Sequence, residues 1–132
     1  MGRKSIEVVA AVIRDGNRIL ATQRGYGDFK DFWEFPGGKM EAGETREDAL
    51  KREIEEELQT GILIERLLTT VEYDYPDFHI TLHCFLCRVQ ESHLTLTEHE
   101  AAKWLDAGTL DSVNWLPADS GVIQLLKEIL NT

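Results

Sequence analysis

The sequence predicts a mixed α/β fold, a mixed β-sheet lying between helices, and three observations carry that expectation. Strand-like runs outnumber helical ones. One helical pattern lies in mid-chain and one at the end. Each helical pattern has a single apolar stripe, which a sheet face on either side would bury. The run from Ile6 to Ile13 is rich in β-branched residues and reads as a buried strand. Asp15-Gly16-Asn17 is a turn signal, so Arg18 to Gln23 reads as the return strand of a hairpin. A glycine-containing loop (Gly25, Gly27) leads to Phe32-Trp33-Glu34-Phe35. Pro36-Gly37-Gly38 is expected to be a loop, because proline removes a donor and glycine admits positive φ.

From Thr45 to Thr60 the period turns helical. Thr45 with Asp48 resembles a capping box, and Leu50, Ile54 and Leu58 form one buried stripe. Gly61 is the expected stop. Ile62 to Tyr75 and Ile80 to Val89 are strand-like and are separated by Pro76-Asp77; Leu94 to Leu96 and Ala102 to Leu105 are shorter candidates. Asp119 to Leu130 closes the chain as an amphipathic helix.

The length, 132 residues, fits a single domain spanning 1–132. The formal net charge is −10, from 14 basic and 24 acidic side chains. That balance argues against polymeric nucleic acid and against an anionic membrane surface, both of which recruit basic side chains. A small polyanion remains admissible if metal ions or a few placed cations offset the repulsion. Two cysteines do not make a secreted disulfide framework, and no apolar run approaches a membrane span. The expectation is a soluble cytoplasmic protein.

Eight of the 24 carboxylates lie between Glu41 and Glu57. Glu53, Glu56 and Glu57 sit at i, i+3 and i+4, so three carboxylates project from one helix face. Like charges at that spacing destabilise an isolated helix by about 0.2–0.5 kcal/mol a pair. A solvated acidic face would explain them blandly. Two features point elsewhere. The acids adjoin the buried stripe, and the helix follows a Pro-Gly-Gly segment carrying Lys39. Clustered hard oxygen ligands suit Mg²⁺, with Mn²⁺ as a substitute.

Gly38, five residues to Glu44, then seven to Arg52-Glu53-Ile54-Glu55-Glu56-Glu57 resembles the Nudix box of the Nudix hydrolases. Six fixed positions match at the right spacing. The departure is Gln59 where the box has glycine, with Gly61-Ile62 following two residues late, as in a slightly longer helix exit. Leu20 to Arg24, Trp33 to Gly38, Tyr73 to Leu82 and Leu116 to Asp119 resemble the MutT-type branch and the related bacterial CTP pyrophosphohydrolases. The resemblance implies a Nudix-type α/β/α sandwich and metal-dependent hydrolysis of a nucleoside triphosphate to monophosphate and pyrophosphate. It implies that Glu53, Glu56 and Glu57, with the Gly38 carbonyl, hold the metal. Arg52 would pair with Glu53 or Glu44 and fix its rotamer, Glu44 supporting the site. Lys39 and Arg24 are the cations available to phosphate. Glu53 and Glu98 are both candidates for the general base, Glu98 also for the metal, and Glu100 competes with it.

By the same resemblance Asp119 faces the nucleobase, although an aspartate before an apolar run is also a good N-cap. An ionised carboxylate only accepts hydrogen bonds, from cytosine N4–H₂ or from the N1–H and N2–H₂ edge of oxidised guanine; pairing with cytosine N3 as well needs a protonated Asp119 or a water, so this geometry favours guanine. Ile6 to Ala11, Leu82-His83 and Glu98-His99-Glu100 tip the reading towards CTP or dCTP, with 8-oxo-dGTP as the alternative. Phe35, Tyr75, Phe78 and Ile80 are candidates for the apolar slot. A catalytically silent nucleotide sensor is the competing class, and either a monomer or a homodimer is compatible. Cys84 and Cys87 have C-x-x-C spacing, but on a strand they face opposite ways and read as small hydrophobes. His79 and His83 share a face about 13 Å apart, too far to chelate one ion. Gly25-Tyr26-Gly27 reads as a loop over the site.

Overall fold

The computed structural model of the chain describes residues 4–89 and 99–130. Strands β1 (Lys4–Asp15), β2 (Arg18–Arg24), β3 (Trp33–Glu34) and β4 (Gly37–Lys39) precede helix α1 (Arg46–Leu58). Strands β5 (Ile62–Asp74), β6 (Phe78–Val89) and β7 (His99–Leu105) follow. A 3₁₀ turn (Leu110–Ser112) and helices α2 (Pro117–Ser120) and α3 (Ile123–Leu130) complete the fold. The strand order is β3-β2-β1-β6-β5, with β4 on β1 and β7 on β2. The sheet is mixed because β1 runs parallel to β6 and antiparallel to its other partners.

β1 has little polar alternation because both of its faces are covered. Val9, Ala11 and Ile13 point to the cluster under α1, formed with Leu50, Ile54, Leu58 and Phe85. Ala10 and Val12 point to the opposite cluster with Leu82, Val122 and Leu126. Leu50, Ile54 and Leu58 are fully buried, and truncating any of them to alanine would cost about 2–5 kcal/mol. Cys84 and Cys87 fall into opposite clusters, as strand alternation requires.

Four local expectations need correction. Pro36-Gly37-Gly38 does not form a loop: Gly37, Gly38 and Lys39 pair with Ala10, Val9 and Val8 as β4. Neither glycine has positive φ; the need there is for space. A β-carbon on Gly37 would lie 2.0 Å from the Val9 carbonyl oxygen. Second, Gly61 does not stop α1. The helix ends at Leu58, and Gln59 takes the left-handed conformation, φ 54°, at the very position where the Nudix box has glycine. The exit is therefore not longer. Third, the closing helix is two helices: Ser120 and Val122 N–H groups donate to the Leu116 and Asp119 carbonyls, and α3 starts at Ile123. Fourth, Asp119 lies within α2, whose N-cap is Leu116, so it is not a cap. The strand from Ala102 to Leu105 starts earlier, at His99. The expected strand from Leu94 to Leu96 lies outside the described residues.

Candidate active site

α1 starts where Thr45 Oγ1 accepts the Asp48 N–H at 3.1 Å, half of a capping box. The burial of Leu50 and Ile54 against β1 then sets the helix rotation, and this turns Glu53 and Glu57 towards β4. A β-carbon on Gly38 would lie 2.4 Å from the Glu53 carboxylate, so only glycine lets the acid lie flat on the strand. Glu57 is 6% exposed and its Oε2 accepts the Gly37 N–H at 3.1 Å.

Arg52 organises the ridge. Its Nε and Nη2 donate to the two Glu44 oxygens at 2.7 and 2.9 Å, a bidentate pair. Its Nη1 donates to Glu53 Oε1 at 2.7 Å and, less closely, to Glu56 Oε2 at 3.4 Å. Nη2 also reaches the Lys39 carbonyl at 3.1 Å, tying α1 to β4. The sequence left Glu53 and Glu44 as alternative partners; the guanidinium takes both. Its hydrogen bonds hold the Glu44 carboxyl down at about 2, and Glu44 and Glu53 in turn push the guanidinium further up. Glu44 Oε1 also accepts the Glu41 N–H at 2.8 Å, which fastens the turn before the helix.

The donor set on this ridge is all oxygen, packed onto a glycine strand where no side chain intrudes. That fits a hard divalent cation, and Glu53, Glu56, Glu57 and the Gly38 carbonyl are the groups that could hold it. As the side chains stand, no three acidic, histidine or cysteine groups among the described residues converge on one point. Glu53 and Glu56 lean to Arg52, and Glu57 to β4.

The other half of the site lies across the sheet. A cavity of about 510 Å³ opens on the face opposite α1, between Val8, Phe35, Tyr75, Phe78, Ile80 and Asp119. Gly37, Gly38 and Lys39 line its edge, so β4 separates the cavity from the acidic ridge. Asp119 is 6% exposed, and its Oδ2 accepts the Phe35 N–H at 2.8 Å. Burial pushes this carboxyl up to about 8, with Glu34 adding to the rise and the Phe35 N–H and Arg24 opposing it. The shift favours the protonated form, which offers one donor beside its acceptor capacity. Of the two states weighed from the sequence, the burial favours the protonated one over the acceptor-only carboxylate. The next residue is tied to the cavity wall as well, because the Ala118 N–H donates to the Tyr75 hydroxyl at 3.2 Å.

Arg24, the second cation expected to be available to phosphate, stands at the cavity. Its Nη2 pairs with Glu34 at 3.0 Å and its Nη1 donates to the Asp28 carbonyl at 3.2 Å. It braces the segment 25–32 and the strand β3. Lys39 stays exposed at the rim. Glu98 lies outside the described residues, as does the side chain of Glu100. Glu34 was missed from sequence, since its partner is ten residues away and its neighbours are aromatic. His79 and His83 face different carboxylates, Asp74 and Glu7, at 2.7 and 3.0 Å.

A family model described as NUDIX domain matches residues 4–126. An 8-oxo-dGTP diphosphatase of Proteus vulgaris is 43% identical over 97 residues, covering 72% of this chain and 87% of that protein. A CTP pyrophosphohydrolase of Escherichia coli K12 is 35% identical over 124 residues, covering 92% and 90%. The solution structure of the DNA mismatch repair protein MutT of methicillin-resistant Staphylococcus aureus superposes with a TM-score of 0.77 at 36% identity, covering 97% and 99%. Among the described residues, no helix is long and apolar enough to cross a membrane.

Proposed function

This chain belongs to the NUDIX family and is a Nudix hydrolase, and from that premise we propose that it cleaves 8-oxo-dGTP to 8-oxo-dGMP and pyrophosphate, sanitising the cytoplasmic nucleotide pool. The observation that carries the nucleotide reading is Asp119, buried at the cavity with its Oδ2 on the Phe35 N–H and its carboxyl pushed towards the protonated form, while the choice of base follows the relatives. An 8-oxoguanine edge offers the N7–H donor beside the O6 acceptor. A protonated carboxyl with one donor and one acceptor complements that edge, whereas undamaged guanine turns two acceptors to it. The higher identity of the 8-oxo-dGTP diphosphatase relative supports the same choice.

Glu53, Glu56, Glu57 and the Gly38 carbonyl would hold Mg²⁺ or Mn²⁺, and Glu98 is a further candidate. When bound, the cation neutralises phosphate charge and acidifies a water for attack on phosphorus. The chain's own contribution is positional. Arg52 fixes the rotamers of Glu53 and Glu44, so that the acids are preorganised before substrate arrives. Lys39, exposed at the edge of the cavity on the strand that carries Gly37 and Gly38, would meet the triphosphate. Phe35 and Phe78 wall the base, and Asp119 reads it. Glu53 or Glu98 would take the proton from water.

One observation favours a second reading. A protonated Asp119 also complements cytosine, donating to N3 and accepting from N4–H₂, which fits the CTP pyrophosphohydrolase relative. Pyrophosphate release from 8-oxo-dGTP, dGTP, CTP and dCTP, compared as kcat/KM with Mg²⁺, decides between them. The proposal expects 8-oxo-dGTP to lead and dGTP to trail it by about 100-fold, the scale set by an unpaired buried polar group. Preference for CTP would transfer the assignment to the second reading. Binding without turnover of any of them would make the protein a sensor.

A further inference from the structure

The segment between β2 and β3, residues 25–32, carries an aromatic side chain that its own turn does not explain. Its base is pinned like a hairpin. Arg24 N–H donates to the Phe32 carbonyl and Asp31 N–H to the Arg24 carbonyl, both at 2.9 Å. The Gln23 amide reaches the Asp31 carbonyl at 3.0 Å. At the tip Phe29 takes a left-handed backbone, φ 63°, which crowds the β-carbon of any L-residue. Glycine or asparagine would sit there more easily. Phe29 is also 36% exposed, so no buried core rewards it.

What the strained backbone does achieve is to send the ring across the mouth of the cavity. Phe29 meets Tyr75 with centroids 5.3 Å apart and planes at 58°. Tyr75 comes from the far side, at the end of β5, and itself stacks on Phe78 at 4.9 Å and 23°. Phe32 supports Phe29 edge-on from within the segment, at 5.7 Å. The result is a row of rings from the β2–β3 segment to the β5–β6 turn, with Phe29 as the member most open to solvent and still part of the cavity lining. Aromatic faces placed this way take a flat π-system.

Resting on the nucleotide reading above, we propose that Phe29 is a specificity-determining residue: its ring forms the solvent-side wall of the base slot and stacks on the nucleobase. Stacking strength grows with ring area, so Phe29 favours purines over pyrimidines. The test compares kcat and KM of the full chain with Phe29→Gly and Phe29→Tyr, using 8-oxo-dGTP, dGTP and CTP with Mg²⁺. Glycine relieves the left-handed backbone but removes the ring contacts with Tyr75 and Phe32, so kinetics are compared at a temperature where the thermal midpoint of each variant shows it folded. The expected result is a KM for 8-oxo-dGTP raised about tenfold with kcat within about twofold, a smaller rise for CTP, and restoration by Phe29→Tyr. A KM in Phe29→Gly within about twofold of the parent for 8-oxo-dGTP would overturn the assignment. So would an equal loss for CTP, or a tyrosine variant that fails to restore binding. Were the parent protein to release no pyrophosphate from any of the three, the functional reading itself would fall and this inference with it, an outcome plainly different from an active parent with an indifferent Phe29.

Discussion

Replacing Asp119 with asparagine keeps the shape of the side chain and removes its proton equilibrium. In the native protein the carboxyl stays protonated to about pH 8, while in the unfolded chain it ionises near its ordinary value of 3.8. The folded state therefore binds more protons between these values, and stability from this group is full at acid pH and falls as pH rises. Each pH unit above 3.8 costs about 1.36 kcal/mol, so neutral pH carries a penalty of order 4 kcal/mol, which stops growing near pH 8. Asparagine escapes that penalty, and its carbonyl oxygen still accepts the Phe35 N–H that now meets Asp119 Oδ2 at 2.8 Å. Urea unfolding of both proteins from pH 4 to 9 isolates the position, because all other titrations cancel in the difference. Asp119→Asn should be no more stable than the parent near pH 4 and several kcal/mol more stable by pH 8. Its amide also offers one donor site and one acceptor at every pH, so activity on 8-oxo-dGTP should survive and lose any decline near pH 8 that belongs to Asp119. A stability difference flat across that range would refute the raised carboxyl, and with it the argument that Asp119 presents a donor to the base.

Three further outcomes follow from the same geometry. Glu56 is exposed on the ridge and only loosely held by Arg52, so Glu56→Gln should leave the urea midpoint unchanged and lower kcat with Mg²⁺ by about 100-fold or more. Comparable turnover would count against the metal assignment. Gly38→Ala places a methyl group 2.4 Å from the Glu53 carboxylate; displaced from β4, Glu53 should lose function, and the variant's activity should drop about as far as that of Glu53→Gln. Gln59→Gly puts glycine at a φ of 54° and should stabilise the protein by about 1 kcal/mol in urea titration, with activity unchanged.

Much of the ridge was legible because it is local. Glu53, Glu56 and Glu57 share a face through helical spacing alone, and Arg52 and Glu44 belong to the same short segment. The run of β-branched residues likewise identified β1, and the Pro76-Asp77 break between two strand-like runs separated β5 from β6. The errors have a common cause: they occur where a distant backbone overrides a local preference. Pro36-Gly37-Gly38 carries every loop signal, yet β1 pulls it into the sheet. Gly61 looks like the helix stop, yet packing ends α1 two residues earlier and forces Gln59 to bear the left-handed turn.

Chain order by itself identified the family and the acidic helix with its all-oxygen face, since those depend on spacings of a few residues and on side-chain chemistry. Only the tertiary structure decided what Asp119 is. Its charge depends on a cavity assembled from β1, β3, β6 and α2, and on an N–H donated from 84 residues away. Desolvation is a property of everything around a group at once, and no window of sequence contains it.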